Sequence, residues 1–204
     1  EYTLPPAQSP RALRELPMWA RGLRTVQWRA TDPNGDPLRY RVEARLEGGT
    51  TWFKVADDLD APTLTWDTNA IPDGRYRLRV IATDEDANAL GEGLTDQAVS
   101  PPFTVDNTPP VVTAFTARGV GRAIEFDGRA EDATSTLSRV EVAVDSGDWR
   151  VVTPEGGLAD RRALSFRGRL PDIDPGDHTA SVRVVDAAGN LAQRAARVTV
   201  PKTR

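Results

Sequence analysis

The sequence contains no cysteine, a single histidine, a single methionine and only two lysines, Lys54 and Lys202, among its 204 residues. The absence of cysteine excludes disulfides and thiolate-bound metals. One histidine leaves few candidates for acid–base or nucleophilic catalysis. No apolar run approaches the ~18 residues that a membrane span requires. The composition therefore argues against an enzyme, a redox protein and a membrane-spanning protein.

The charge balance is acidic, with 26 Lys and Arg against 30 Asp and Glu, a net charge of -4 and a pI of about 5.2. This balance argues against nucleic-acid binding. The length fits one large domain or two small ones, and the apolar share argues against wholesale disorder. The chain begins at Glu1 without a charged and then apolar leader, so we expect a processed chain or a piece of a longer one.

Short alternating segments dominate the pattern. Apolar side chains alternate with Arg or Glu over residues 25–30, 38–46 and 76–82, which is typical of half-buried antiparallel strands. Clusters of Asp, Asn, Gly and Pro separate the segments at short intervals. The spacing predicts an all-β sandwich or barrel.

An internal repeat indicates the domain organisation. Residues 74–88 align without a gap with residues 176–190, and upstream Trp52 aligns with Trp149 at a slightly smaller offset. Two homologous β domains in tandem explain this repeat most economically. The expected organisation is a Pro-rich N-terminal arm over 1–18, a first sandwich over 19–105, a linker over 106–110 and a second sandwich over 111–204.

The linker carries Pro109 and Pro110 between the two copies. Proline fixes its backbone angle φ and has no N–H to donate. We therefore expect a short, semi-rigid joint.

Several residues carry a resemblance to known β-sandwich families. Trp28 in an early strand and the segment 71–82 resemble the fibronectin type III pattern, in which Tyr76 would be the corner tyrosine. The second copy has His178 at that position and resembles a bacterial immunoglobulin-like repeat. The resemblance implies two tandem antiparallel Greek-key sandwiches from a large secreted or surface bacterial protein. It implies architecture rather than activity, because such folds host many functions.

His178 has two possible roles. With Ser165 or Ser181 it could form a hydrolase-like arrangement, but no strained nucleophile turn is present in the sequence. The alternative is that His178 replaces the corner tyrosine and hydrogen-bonds a loop. We expect this structural role and no catalytic residues.

Acidic turns suggest a calcium site. Alternating oxygen-bearing side chains in tight turns are the ligands that Ca²⁺ prefers, although Asp and Asn are also common turn formers. The second copy keeps Asp132, Asp186 and Asn190 but has no acidic residue among 133–136, so calcium is expected there less than in the first. The candidate ligands are Asp32, Asn34, Asp36, Asp84, Asp86, Asn88 and, at the joint, Asp106.

Tryptophans give a further candidate site. Trp19, Trp52, Trp66 and Trp149 could stack on sugar rings, as on carbohydrate-binding β-sandwiches. The matched positions of Trp52 and Trp149 in the two copies instead favour packing roles.

The preferred interpretation is a non-catalytic structural, spacer or adhesive module at the cell surface or outside the cell. Its partners would be other domains of the same polypeptide or neighbouring subunits. One alternative is a self-assembling surface filament, in which the arm over 1–18 adds a strand to a neighbour's sheet edge. Another is a carbohydrate-binding accessory module of a secreted enzyme.

Overall fold

The computed structural model describes residues 22–202, so the predicted arm over 1–18 lies outside the described residues. The described part is built almost entirely from antiparallel strands. Within it, no helix has the length and hydropathy to cross a bilayer. The strands are β1 (Leu23–Gln27), β2 (Arg39–Leu46), β3 (Phe53–Leu59), β4 (Thr63–Asp67), β5 (Gly74–Thr83), β6 (Thr95–Val99), β7 (Phe103–Val105), β8 (Val111–Gly119), β9 (Ala123–Glu131), β10 (Leu137–Val144), β11 (Arg150–Val151), β12 (Ala163–Pro171), β13 (Gly176–Asp186) and β14 (Leu191–Val200).

The first sandwich contains β1 to β7. One layer is the β1–β4 pair, and the other has the order β3-β2-β5-β6, with β7 also paired to β5. Val42, Ala44 and Leu78 are buried between the layers, where Trp28 and Trp66 pack against them. Short 3-10 helices over Thr68–Ala70 and Glu85–Ala87 follow β4 and β5.

The second sandwich contains β8 to β14. Its layers have the orders β12-β9-β8 and β11-β10-β13-β14. Alternate residues of both layers point inward, so Ile124, Val142 and Val182 are fully buried. The two groups of strands confirm the predicted fold, two tandem antiparallel β-sandwiches.

Strands β8 and β14 lie side by side in the same direction and close the second sandwich. The Arg194 guanidinium donates to the carbonyls of Val112 and Thr113 at 3.0 and 3.1 Å. At the other end, a Cβ on Gly119 would lie 2.2 Å from the Thr199 carbonyl oxygen. Glycine is therefore required for this close approach of the two backbones.

Two phenylalanine rings in the second core cover glycines on the neighbouring strand. Phe166 is paired with Gly128 and Phe126 with Gly168 along the β9–β12 ladder. A Cβ on Gly128 would lie 2.3 Å from Cζ of Phe166. The ring thus occupies the space that a side chain at position 128 would need.

Candidate functional site at the domain joint

Equivalent corners stabilise the two sandwiches. The Tyr76 hydroxyl donates to the Pro72 carbonyl at 2.9 Å, four residues upstream. In the second copy His178 Nε2 lies 2.8 Å from the Asp174 carbonyl, also four residues upstream. His178 therefore occupies the place of the corner tyrosine and bonds the preceding loop.

The second ring nitrogen of His178 faces a carboxylate. Nδ1 lies 2.8 Å from Oδ2 of Asp145. Because both ring nitrogens face acceptors, the doubly protonated, charged ring satisfies both bonds. The Asp145 hydrogen bond, followed by that of Asp174, raises the pKa of His178, and the His178 hydrogen bond lowers the pKa of Asp145. Neither nitrogen bonds to Ser165 or Ser181 in the described part of the chain.

This pair predicts a pH dependence of stability. A raised pKa in the folded state means that the histidine's contribution is complete below its ordinary value of 6.5 and is lost as the pH rises through the raised value. The lowered pKa of Asp145 means that its contribution is complete above 3.8 and is lost as the pH falls. We therefore expect His178→Gln to destabilise the second sandwich more at about pH 5.5 than at about pH 9.

Urea unfolding of wild type and variant at both pH values measures this difference. Tyr76→Phe is the matched control, because loss of a neutral corner hydrogen bond should cost the same, about 1 kcal/mol, at both pH values. An equal cost of His178→Gln at the two pH values would show that folding does not raise the pKa of His178.

The joint is bonded to the first sandwich through Asn107. Its backbone N–H donates to Oδ1 of Asp73 at 2.7 Å, and its side-chain amide donates to the carbonyls of Thr68 and Ile71 at 2.9 and 3.2 Å. The Thr108 hydroxyl donates to the other oxygen of Asp73. These bonds connect the linker to the loops after β4.

The preceding residue, Asp106, is bonded to the second sandwich. Its carbonyl accepts a hydrogen bond from the Asn190 side chain at 3.0 Å, and both residues are buried. Pro110 is also buried, whereas Pro109 is exposed. Adjacent residues of the linker are therefore held by different sandwiches.

Acidic side chains form a cluster in the first sandwich. Carboxylate oxygens of Asp32, Asp36 and Asp84 lie within 4.8 Å of one another. The Asn88 amide lies 3.5 Å from Oδ2 of Asp36 and bonds the Asp84 carbonyl at 3.1 Å. Four of the predicted ligands are thus brought together.

The structure places Asn34 and Asp86 differently. Asn34 is exposed and donates its backbone N–H to Oδ1 of Asp32 at 2.7 Å. Asp86 is exposed and lies 3.5 Å from the Arg39 guanidinium. An exposed turn and a surface ion pair account for these two residues.

A second acidic cluster lies where the linker meets the second sandwich. Carboxylate oxygens of Asp106, Asp132 and Asp186 lie within 4.8 Å of one another, and all three residues are buried. Burial raises the pKa of Asp106, contact with the Ser135 hydroxyl lowers it, and the charges of the other two carboxylates raise it, so that the pKa is raised overall. Sequence reasoning placed more weight on the first copy. The match between residues 29–32 and 129–132, both Arg-Ala-x-Asp, is the signal that points to Asp132.

Trp52 and Trp149, which occupy matched positions in the two copies, both stack against arginine side chains. The guanidinium groups of Arg45 and Arg79 lie 4.6 Å from the ring centroid of Trp52. In the second copy Arg183 lies 4.4 Å from that of Trp149. These cation–π contacts give both rings a packing role. Trp66 packs in the first core, and Trp19 lies outside the described residues.

A groove of about 810 Å³ runs along the first sandwich between β1 and β6. Val26, Trp28 and Val80 are among the side chains that line it. Among residues 22–202, β1 pairs only with β4, whereas its counterpart β9 pairs with both β12 and β8. The groove therefore lies where β8 lies in the second sandwich.

Two-layered antiparallel sandwiches with a tyrosine corner define a fibronectin type III-like fold. No protein-family model and no curated protein matches the chain. Similar solved structures include the fibronectin(III)-like modules of Clostridium thermocellum CbhA, at 19% identity and a TM-score of 0.43 over 89% of this chain and 87% of that one.

Two other similar structures are longer than this chain. The FN1–FN3 domains of chicken CNTN1 match at 14% identity and a TM-score of 0.45, over 89% of this chain and 63% of theirs. Dimeric latent PorU from Porphyromonas gingivalis matches at 16% identity and a TM-score of 0.43, and the match covers 85% of this chain and 21% of the PorU chain.

Proposed function

We propose that the chain is a non-catalytic extracellular spacer or adhesive module in which the joint holds two sandwiches in a fixed relation. The observation that carries this proposal is the division of the linker. Asp106 bonds the second sandwich through Asn190, and its neighbour Asn107 bonds the first. The proposed partners of this module are other domains of the same polypeptide or neighbouring subunits.

The number of bonds at the joint supports a restrained linker. Each intramolecular hydrogen bond contributes about 0.5–1.5 kcal/mol net. Asn107 and Thr108 together donate four such bonds to the first sandwich. The summed contribution of these four bonds is comparable to the entropic cost of fixing the linker backbone, which is about 1–2 kcal/mol per residue. Buried Pro110 begins with less freedom to lose.

Asp73→Ala tests the joint directly. The substitution removes the acceptor of the Asn107 backbone N–H and of the Thr108 hydroxyl. We expect the joint to lose about 2 kcal/mol of stabilisation while both sandwiches remain folded. Nuclear spin relaxation should then give different tumbling times for the two sandwiches, and small-angle scattering should give a broader distance distribution than for the wild type.

Asp60→Ala is the control for this experiment, because it makes the same charge change at an exposed position. It should leave both measurements at their wild-type values. Independent tumbling of the two sandwiches in the wild-type protein would overturn the spacer proposal, because the joint would then restrain nothing.

The groove beside β1 favours a surface filament as the second candidate function. An open strand edge can accept a strand from another segment or subunit. Light scattering and negative-stain microscopy of the full chain distinguish the candidates. Regular polymers that disappear when residues 1–18 are deleted would support the filament. The carbohydrate alternative has less support from the described residues, because Trp52 and Trp149 contact guanidinium groups.

A further inference from the structure

We propose that Asp106, Asp132 and Asp186 bind a calcium ion where the linker enters the second sandwich. The exposed fractions of these residues are 5%, 7% and 2%, and their carboxylate oxygens lie within 4.8 Å of one another. Among the described residues, no Lys, Arg or His side chain forms an ion pair with any of the three.

Hydrogen bonds satisfy only some of the carboxylate oxygens in this cluster. Oδ1 of Asp132 accepts from the backbone N–H groups of Thr134 and Ser135 at 2.8 and 2.7 Å. Oδ1 of Asp106 accepts from the Thr108 N–H at 3.2 Å. The second oxygens, Oδ2 of Asp106 and of Asp132, are buried and have no hydrogen-bond partner among residues 22–202.

Further oxygen atoms beside the cluster are also without partners. The Asn190 side chain is fully buried and donates to the Asp106 carbonyl and to Oδ2 of Asp186, but its own Oδ1 accepts no hydrogen bond from the part of the chain that the structure describes. Among the described residues, the Ser135 hydroxyl lies close enough to the Asp106 carboxylate to lower its pKa, but it forms no hydrogen bond of ordinary length and angle. In the described part of the linker and second sandwich, these four oxygens are the complete set of buried side-chain polar atoms without a hydrogen bond.

Electrostatics requires that the negative charge of this cluster be neutralised. An isolated buried carboxylate costs several kcal/mol, and like charges at this separation raise the cost further. Either the carboxylates are neutralised by protons or a cation binds between them. The free oxygens of Asp106 and Asp132 favour a cation, because an ion would satisfy both at once.

The donor set selects calcium among the common cations. Carboxylate, amide and hydroxyl oxygens are the ligands of Ca²⁺, whereas zinc and copper prefer nitrogen and sulfur. An ion held here would connect the linker residue Asp106 to the turn after β9 and to the end of β13. Calcium binding at this site does not depend on the proposed spacer function.

Calcium titration of the chelator-treated full chain tests the site. We expect saturable binding of one ion by calorimetry, together with a rise of several degrees in the Tm of the second sandwich. Asp132→Asn keeps the shape of the side chain and removes its charge, so it should weaken calcium binding at least about tenfold. Asp32→Asn, the counterpart in the first sandwich, is the matched control and should bind this ion like the wild type.

The wild type and Asp132→Asn should exchange their order of stability between EDTA and calcium. A folding defect in the variant would not produce this exchange. In EDTA, Asp132→Asn should be at least as stable as the wild type, because it relieves repulsion between carboxylates. In saturating calcium, the wild type should become the more stable protein.

Three results would overturn the proposal. The first is a wild-type Tm that does not change with calcium. The second is a stability that instead rises as the pH falls, which would indicate neutralisation by protons. The third is calcium binding that is lost in Asp32→Asn and kept in Asp132→Asn. Calorimetry and Tm report on the ion, whereas tumbling and scattering report on the joint, so the two proposals can fail separately.

Discussion

Phe166→Ala is expected to lower the free energy of unfolding of the second sandwich by about 3–5 kcal/mol. The ring is 1% exposed, lies 6.4 Å from the ring of Phe115 and covers Gly128. Its removal opens a cavity that glycine at position 128 cannot fill. Urea unfolding followed by nuclear magnetic resonance signals of the second sandwich measures the loss.

Phe53→Ala is the control, because Phe53 is 37% exposed in the first sandwich. It should cost much less, and the unfolding of the second sandwich should not change. A cost below about 1 kcal/mol for Phe166→Ala would show that the second core repacks around the missing ring.

Coupling between Phe166 and Gly128 gives a sharper form of the same test. Gly128→Ala alone should destabilise by about 1–3 kcal/mol, because its Cβ would meet Cζ of Phe166 at 2.3 Å. In the Phe166→Ala background that contact is absent, and the same change should cost less. Additive effects within about 0.5 kcal/mol would contradict the packing described for this pair.

Glu141→Ala should have the second largest effect, about 2–3 kcal/mol on the second sandwich. Glu141 is 7% exposed, accepts a hydrogen bond from the Arg183 guanidinium at 2.6 Å and forms an ion pair with Arg139 at 3.3 Å. Among the described residues, the substitution leaves both arginines without a counter-charge, and Arg183 remains stacked on the ring of Trp149. Because the exposed fractions of the two arginine side chains are 27% and 52%, we expect less than the loss for a fully buried pair.

Glu155→Ala is the matched control for an exposed ion pair. Glu155 lies 2.9 Å from Arg167, and the exposed fractions of the two side chains are 47% and 77%. Its loss should cost under about 0.5 kcal/mol. The Arg183 hydrogen bond lowers the pKa of Glu141, so the Glu141 contribution should be complete above 4.5 and lost at lower pH. Equal costs for the two substitutions would mean that burial does not strengthen the Glu141 pair.

Most of the architecture was accessible from the sequence. Alternation over 38–46 and 76–82 predicted β2 and β5, because half-buried strands impose a period of two on their residues. The repeat predicted a second β domain homologous to the first. The alternation over 25–30 predicted a strand that continues past Trp28. In the structure β1 ends at Gln27, and Trp28 packs against the first core.

The candidate site was only partly accessible. The partners of the joint, Asp73 and Asn190, are 34 and 84 residues away from the linker residues that they bond. Burial is also invisible in a spacing pattern. Asn34 has the spacing of a ligand and is exposed, whereas Asp132 stands alone in its turn and is buried. Tertiary packing, rather than residue type, separates a turn former from a candidate ligand.

The parallel arrangement of β8 and β14 determines how the second sandwich responds to mechanical force. β8 begins at the joint and β14 ends at Val200, so tension between these points pulls the two strands past each other along their length. The bonds of Arg194 and the close backbone contact at Gly119 are then loaded simultaneously in shear. A sandwich with antiparallel terminal strands would instead open one contact at a time from its end.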